Sequence, residues 1–115
     1  MKFMLLIYGN EAAMETTRPE QNREILGAYM AYTDALKQAG AHIAGDRLRP
    51  TPDATTVRIA NGKMQVLNGP YAETKEQLGG YYLIDVPDLD AALSWAARCP
   101  ATSYGTVEVR PLWPV

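Results

Sequence analysis

A run of polar side chains, Glu73–Gln77, stands directly before the most aromatic stretch of the sequence. Glu73 is the first candidate for chemistry, because a carboxylate partly buried near Tyr71 and Tyr81 suits a general acid or base. The alternative is a structural hydrogen bond from Glu73 that holds the loop in place. The sequence therefore points to a polar loop at the edge of an aromatic strand, with one carboxylate as its catalytic candidate.

The same loop predicts the rim of a pocket, since loops at strand ends often carry binding sites that a rigid sheet positions. Lys75 lies close to acids on both sides, so a local ion pair is its alternative role. The residues predicted to line the pocket come from this loop, from the aromatic strand and from two earlier elements: Tyr71, Lys75, Gln77, Tyr81, Tyr29 and Asp46.

His42, the only histidine, is the second catalytic candidate. On a strand it shares a face with Asp46 if side chains keep alternating through Gly45, and Asp46 could then orient the ring for proton transfer. The alternative is a packing or edge role. One histidine without an acidic cluster at fixed spacing gives no metal-ligand set, and no motif for a nucleophile or a cofactor is present. Neither a metal nor a cofactor is predicted.

The chain has seven tyrosines and one phenylalanine. Tyrosine joins an apolar ring to a hydrogen-bonding hydroxyl, which suits a core, a subunit interface or a lined cavity. Arg47, Arg49 and Arg58 are candidates for binding an anionic ligand, and solvated positions on strand edges are the alternative.

Length and composition exclude several classes. The 115 residues fit one domain, residues 1–115, and a net charge of −2 argues against a nucleic-acid partner. The apolar run 3–8 is far shorter than the ~20 residues of a membrane span and reads as a first strand. A single cysteine excludes an internal disulfide and fits a reducing compartment, so a cytoplasmic location is predicted.

Hydrophobic periodicity and turn residues divide the chain into two helices and six strands. The first helix carries a Thr17–Glu20 capping-box pattern and stops at Gly40, and the second starts at Asp88 and stops before Pro100. Asn61-Gly62 favours a tight type I′ turn between two strands, and Gly79-Gly80 indicates a bulge or a close backbone approach. The predicted strands are residues 2–8, 41–49, 55–59, 63–67, 80–86 and 106–112.

This order predicts an α+β, ferredoxin-like (split βαβ) fold with an inserted β-hairpin, in which two helices cover one face of an antiparallel sheet. A sheet with one wet face should alternate apolar and polar residues, yet residues 3–8 and 81–84 do not. Something must cover the second face, and a second copy of the chain is the simplest partner. The sequence therefore predicts a homodimeric α/β barrel with a cavity between the two sheets.

Residues 68–100, NGPYAETKEQLGGYYLIDVPDLDAALSWAARCP, resemble the signature of the DGPF subgroup of the YCII-related family. The opening MKFMLLIYG and the closing VEVRPL are similar to that subgroup as well. Asn68-Gly69-Pro70-Tyr71 stands where the subgroup has Asp-Gly-Pro-Phe. The resemblance implies a dimeric ferredoxin-like barrel, in agreement with the pattern of the strands.

For function the resemblance implies less. The His and Asp pair proposed as catalytic in the wider family would fall near Tyr29 and Gln38, and neither residue matches. Genes of the subgroup often lie beside extracytoplasmic-function sigma factors, which implies a regulatory or accessory role as an alternative.

Two classes of function follow. The first is a small-molecule site in the cleft of the barrel, with acid/base catalysis by Glu73 and His42. The second is a non-enzymatic accessory or regulatory protein, linked to an extracytoplasmic-function sigma factor system and acting through its surface.

Overall fold

The structure, a computed structural model, describes residues 1–114. Strands and helices follow one another in the order β1 (Lys2–Gly9), α1 (Glu11–Glu15), α2 (Pro19–Gln38), β2 (His42–Arg47), β3 (Thr55–Ala60), β4 (Lys63–Asn68), β5 (Gln77–Asp85), α3 (Leu89–Arg98) and β6 (Thr106–Pro111). Short 3-10 turns lie at Thr51–Asp53 and Pro100–Ser103. Within residues 1–114, no helix combines the length and the apolar character that a membrane crossing requires.

The strands form two antiparallel sheets. Four strands make the main sheet in the order β2-β5-β1-β6, and every neighbouring pair is antiparallel. Strands β3 and β4 pair with each other in a separate sheet. The predicted α+β class with antiparallel sheets is confirmed, and all six predicted strands are present, although β5 begins three residues before the predicted Gly80.

The core lies between one face of the main sheet and helices α2 and α3. Phe3, Leu5 and Ile84 from the sheet are fully buried there, together with Leu36 from α2 and Ala92 from α3. Side chains of β1 alternate between this core and the opposite face, as the pleat of a strand requires. Burying one such large apolar side chain contributes roughly 1.5–3 kcal/mol.

The start of α2 differs from the predicted capping box. The N-cap is Arg18, whose backbone N–H donates to Oε1 of Gln21 at 3.3 Å. The Thr17 hydroxyl donates instead to the Ala13 carbonyl at 3.5 Å. The reason is the short helix α1, which the sequence pattern does not predict and which uses Thr17 at its own C-terminal end.

The other predicted helix signals are confirmed. Gly40 follows the last residues of α2 with φ = 71°, a left-handed conformation that glycine adopts without steric cost. Asp88 caps α3, because its Oδ1 accepts from the backbone N–H of Ala91 at 2.8 Å.

The β3–β4 hairpin projects from the rest of the chain. Asn61 and Gly62 have φ of 53° and 75°, which confirms the predicted type I′ turn. The radius of gyration, 16.1 Å, exceeds the roughly 13 Å expected of a compact domain of this length. One face of the hairpin carries four apolar side chains exposed by 55–74%: Val57, Ile59, Met64 and Val66.

The second face of the main sheet is apolar and uncovered, and we call it the open face. The register pairs Met4 with Leu83 and Leu6 with Tyr81 on this face, all half-buried by their neighbours in the sheet. Helices α2 and α3 pack on the other face of this sheet, and β3 and β4 form a sheet of their own. The smallest extent of the molecule, 19 Å, is accordingly that of one helix layer on one sheet.

Candidate functional site

A bulge at Gly79 shapes the upper end of the main sheet. Strands β1 and β5 pair in register as far as Ile7 with Gly80, after which Tyr8 pairs with Leu78 and Gly79 is left over. This extra residue turns Leu78 onto the open face beside Tyr8. A Cβ on Gly80 would lie only 2.9 Å from the carbonyl oxygen of Asp46. The Gly79-Gly80 pair thus provides both the bulge and the close approach that the sequence predicts.

A cavity of about 360 Å³ lies where the inserted hairpin joins the main sheet. Its floor comes from the ends of β1 and β5, and its walls come from the two connections of the hairpin, residues 48–54 and 70–76. The lining residues are Tyr8, Leu48, Arg49, Thr51, Ala54, Pro70, Ala72, Thr74, Gln77 and Leu78. Most of this lining is apolar, with a few polar groups, as is usual in small-molecule sites.

Glu11 ties the walls of the cavity together. Its carboxylate accepts hydrogen bonds from the Thr51 backbone N–H at 2.9 Å and from the Thr51 hydroxyl at 2.6 Å. Its backbone N–H donates to Oε1 of Gln77 at 3.0 Å, and Nε2 of Gln77 donates to the Thr74 carbonyl at 2.6 Å. Both walls are therefore held by the first residue of α1.

Sequence reasoning missed Glu11 because it did not predict α1. The available signal was Asn10, a preferred N-cap residue followed directly by an acid. Its Oδ1 does accept from the backbone N–H of Ala13 at 3.0 Å, so the cap is real.

The predicted rim is only partly where the sequence suggested. Gln77 lines the cavity, as predicted. Tyr71, Glu73 and Lys75 are exposed and lie outside its lining, because the residues that alternate with them (Pro70, Ala72 and Thr74) take the inward positions. Glu73 thus stands at the solvent side of the wall, between two lining residues.

Tyr81 and Asp46 lie together on the open face, outside the lining of the cavity. The Tyr81 hydroxyl donates to Oδ2 of Asp46 at 2.8 Å. This hydrogen bond to a carboxylate raises the pKa of Tyr81, because the carboxylate stabilises the protonated phenol. Asp46 therefore orients a tyrosine.

The expectation that Asp46 orients His42 is wrong. A register shift between His42 and Ala44 interrupts the alternation along β2. His42 pairs with the buried Ile84 and its ring lies edge-on to Tyr82 on the helix-covered face, whereas Asp46 faces the opposite way. His42 and the polar loop are thus on different faces of the sheet.

Tyr29 also lies on the helix-covered side. Its hydroxyl makes a hydrogen bond with that of Tyr104, beside a second, smaller cavity of about 140 Å³. Tyr29 is outside the lining of the larger cavity. Across residues 1–114, no three His, Cys, Asp or Glu side chains come close enough to hold a metal ion.

Three tyrosine hydroxyls and the thiol of Cys99 are partly or fully buried on the helix-covered side, which predicts that the folded protein loses stability at alkaline pH. Burial raises the pKa of Tyr29, Tyr32, Tyr82 and Cys99, because the charged forms lose their hydration. Each group therefore stabilises the fold fully below its unfolded pKa, and that stability is lost as the pH rises further. We expect the melting temperature to fall once the pH passes the ordinary values of 9.0 for cysteine and 10.0 for tyrosine.

Thermal unfolding followed by circular dichroism between neutral pH and the alkaline limit measures this loss. Tyr71→Phe is the matched control, because Tyr71 is 80% exposed and its removal should leave the pH profile unchanged. A melting temperature that stays constant at pH values well above the ordinary tyrosine pKa of 10.0 would contradict the prediction.

Comparison with known proteins gives three findings. The sequence profile of the YCII-related domain matches residues 1–115. An uncharacterised protein of Rhizobium meliloti (strain 1021) is 38% identical over 114 residues, covering 97% of this chain and 92% of the other. A solved structure of the 5-chloro-2-hydroxyhydroquinone dehydrochlorinase from Burkholderia phenoliruptrix is similar with a TM-score of 0.54 at 16% identity, covering 98% of this chain and 94% of that chain.

Proposed function

The chain belongs to the YCII-related family, and we propose that it binds a small organic molecule in the cavity between the hairpin connections and the open face. The observation that carries this proposal is the cavity itself. Its volume of about 360 Å³ falls in the range of ligand sites, roughly 300–1,000 Å³. It is also built from the polar segment that gives the sequence its most distinctive motif.

The compound bound to the dehydrochlorinase, whose fold is similar, supports a ligand of about one ring for this cavity. That protein was solved in complex with 2,5-dihydroxybenzoquinone, a compound of one ring. A cavity of about 360 Å³ accommodates one ring with several substituents. We therefore propose ligands of this size for the cavity. The dehydrochlorinase reaction itself is not part of the proposal.

Glu73 is the acid/base candidate within this proposal. It lies between Ala72 and Thr74, both of which line the cavity, so it is the carboxylate of this loop that stands beside the lining. His42 has no part in the same site, because it faces the helices. Any proton transfer here would use Glu73 without His42.

We further propose that the protein is a homodimer with a split βαβ, ferredoxin-like subunit. The strand order β2-β5-β1-β6, with both long helices on one face, supports the subunit plan. The apolar open face supports pairing with a second copy into a barrel, because an apolar sheet face opposite the helix layer is typical of an interaction surface. Cys99, a free and buried thiol, fits the reducing conditions of the cytoplasm.

The accessory or regulatory role is the second candidate, and one observation favours it. The hairpin face of Val57, Ile59, Met64 and Val66 is exposed and offers a protein partner an apolar surface. A component of an extracytoplasmic-function sigma factor system is the partner that the family resemblance implies. This role would leave the cavity empty and would depend on the hairpin alone.

A thermal-shift screen against a broad metabolite library tests the cavity. We expect at least one compound class to raise the melting temperature, by about 10 °C at a concentration 100 times its Kd. Ala72→Trp should abolish the shift, because an indole at this lining position fills the cavity.

Tyr71→Trp is the matched control, since it adds the same ring one residue away on the solvent side. The control should respond like the wild type. If no compound shifts the wild type, or if Ala72→Trp responds as strongly, the small-molecule function is wrong and the hairpin becomes the surface to investigate.

A further inference from the structure

The polar side chains that line the cavity divide into two groups. The first group makes hydrogen bonds within the walls of the cavity. Thr51 donates to Glu11, and the Thr74 hydroxyl donates to the Glu76 carbonyl. Gln77 accepts from the Glu11 backbone N–H and donates to the Thr74 carbonyl. These groups hold the walls in place and offer little to a ligand.

Two polar groups remain for a ligand, the Arg49 guanidinium and the Tyr8 hydroxyl. Neither has a hydrogen bond or an ion pair with any residue in the described range 1–114. Arg49 is also the only charged residue in the lining. Its guanidinium offers five N–H donors and no acceptor, and it stays charged at every physiological pH.

Glu11, which holds the wall of the cavity, makes no ion pair with Arg49 within residues 1–114. Both oxygens of Glu11 are occupied by Thr51, one by its backbone N–H and the other by its hydroxyl. Because the lining itself contains no acidic residue, a cationic ligand finds no counter-charge there, whereas an anion finds one unpaired positive charge and a second donor. The charge balance of the cavity selects for one negative charge.

The remainder of the lining is apolar. Leu48 lies on one wall and Leu78 on the floor beside it, since the Leu48 N–H donates to the carbonyl of Gly79 at 2.8 Å. Ala54, Pro70 and Ala72 complete the surface without adding a polar side chain. A ligand that fits this lining has an apolar body and a single anionic end.

We propose that the cavity selects small organic monocarboxylates, with Arg49 binding the carboxylate, Tyr8 donating to it and the adjacent side chains of Leu48 and Leu78 holding the apolar body. This assignment depends on the proposed small-molecule function and names its ligand class. A bidentate guanidinium–carboxylate pair gives both the energy and the orientation, because its two parallel N–H···O bonds fix the plane of the acid.

Isothermal titration calorimetry with matched ligand pairs tests whether carboxylates are the ligand class. The probes are benzoate and its para-substituted derivatives, each compared with the carboxamide of the same shape. We expect each carboxylate to bind at least about tenfold more tightly than its amide, as a hydrogen bond to a charged group implies. Arg49→Gln should remove this preference, and Tyr8→Phe should weaken carboxylate binding by a few-fold while keeping the preference.

Arg47→Gln is the matched control, because Arg47 is an exposed arginine two residues away and is not in the lining. It should keep the preference, which separates a specific contact from a general charge effect. Equal binding of acids and amides, or a preference that survives in Arg49→Gln, overturns the carboxylate assignment. The small-molecule function would still hold after that result if the amides bind and lose affinity in Ala72→Trp. It fails as well if neither acids nor amides bind and the thermal-shift screen finds no other ligand.

Discussion

Gly105→Ala is expected to destabilise the protein by about 3 kcal/mol, at the upper end of the cost of overpacking. A Cβ at this position would clash with the carbonyl oxygen of Tyr8 and lie 3.2 Å from the Cα of Gly9. Both are backbone atoms of β1, so relief requires β6 to move away from the strand that floors the cavity. The N–H of Gly105 also donates to Ala101 at 2.7 Å, which resists such a shift.

Urea unfolding compares this variant with Gly27→Ala. Gly27 lies in the exposed interior of α2 with nothing within 4 Å of its Cβ position, so alanine there should stabilise by about 0.5–1 kcal/mol through helix propensity. The two identical substitutions should therefore change the free energy of unfolding in opposite directions. A stability of Gly105→Ala close to that of the wild type would mean that β1 and β6 separate more easily than their register suggests.

The elements that sequence reasoning placed correctly are those with local causes. The Asn61-Gly62 turn, the Gly40 stop and the Asp88 cap each follow from the conformational preference of one or two residues. These signals survive because no tertiary contact has to be known in order to read them.

The site was harder to predict because its lining depends on irregular backbone. Between Pro70 and Gln77 there is no strand or helix whose period would say which side chains turn inward. The sequence therefore favours Glu73 by its chemistry, although Ala72 and Thr74 line the wall. The register shift beside His42 had the same effect on β2, since one extra residue reverses every later face.

The importance of Glu11 and Arg49 comes from contacts between distant parts of the chain. Glu11 meets Thr51 across 40 residues and Gln77 across 66. Arg49 was one of three candidate anion-binding arginines in the sequence, and only the arrangement of the two hairpin connections distinguishes it from Arg47 and Arg58. Such pairings are global properties of the fold and leave no local pattern.

Leu6→Asp is the second variant with a large expected effect, and it tests the proposed dimer. Leu6 lies at the centre of the open face opposite Tyr81, so pairing of two copies would bury it. A carboxylate buried there without a partner costs several kcal/mol, and a symmetric dimer contains the substitution twice. We expect the dimer dissociation constant to rise by at least about 100-fold, since every 1.4 kcal/mol is a factor of ten.

Sedimentation equilibrium measures this change directly, because the monomer has a mass of 12.7 kDa and the dimer twice that mass. Leu26→Asp is the matched control: Leu26 is a leucine on α2 that is 57% exposed and faces away from the open face. It should remain dimeric. Leu6 points out of the core, so the variant should keep the circular dichroism spectrum of the wild type, and a wild-type protein that sediments as a monomer would overturn the barrel.

The Leu6→Asp monomer also shows whether ligand binding in the cavity depends on dimerisation through the open face. All ten lining residues of the cavity belong to one chain, so a folded monomer retains the complete set. Tyr8, however, lies on the same face as Leu6, two residues further along β1, which puts the cavity next to the proposed dimer interface. If the monomer binds carboxylates as tightly as the dimer, the cavity works within one subunit. If affinity falls together with dimerisation while Leu26→Asp keeps both, the partner subunit closes the site, and the apolar open face exists to complete it.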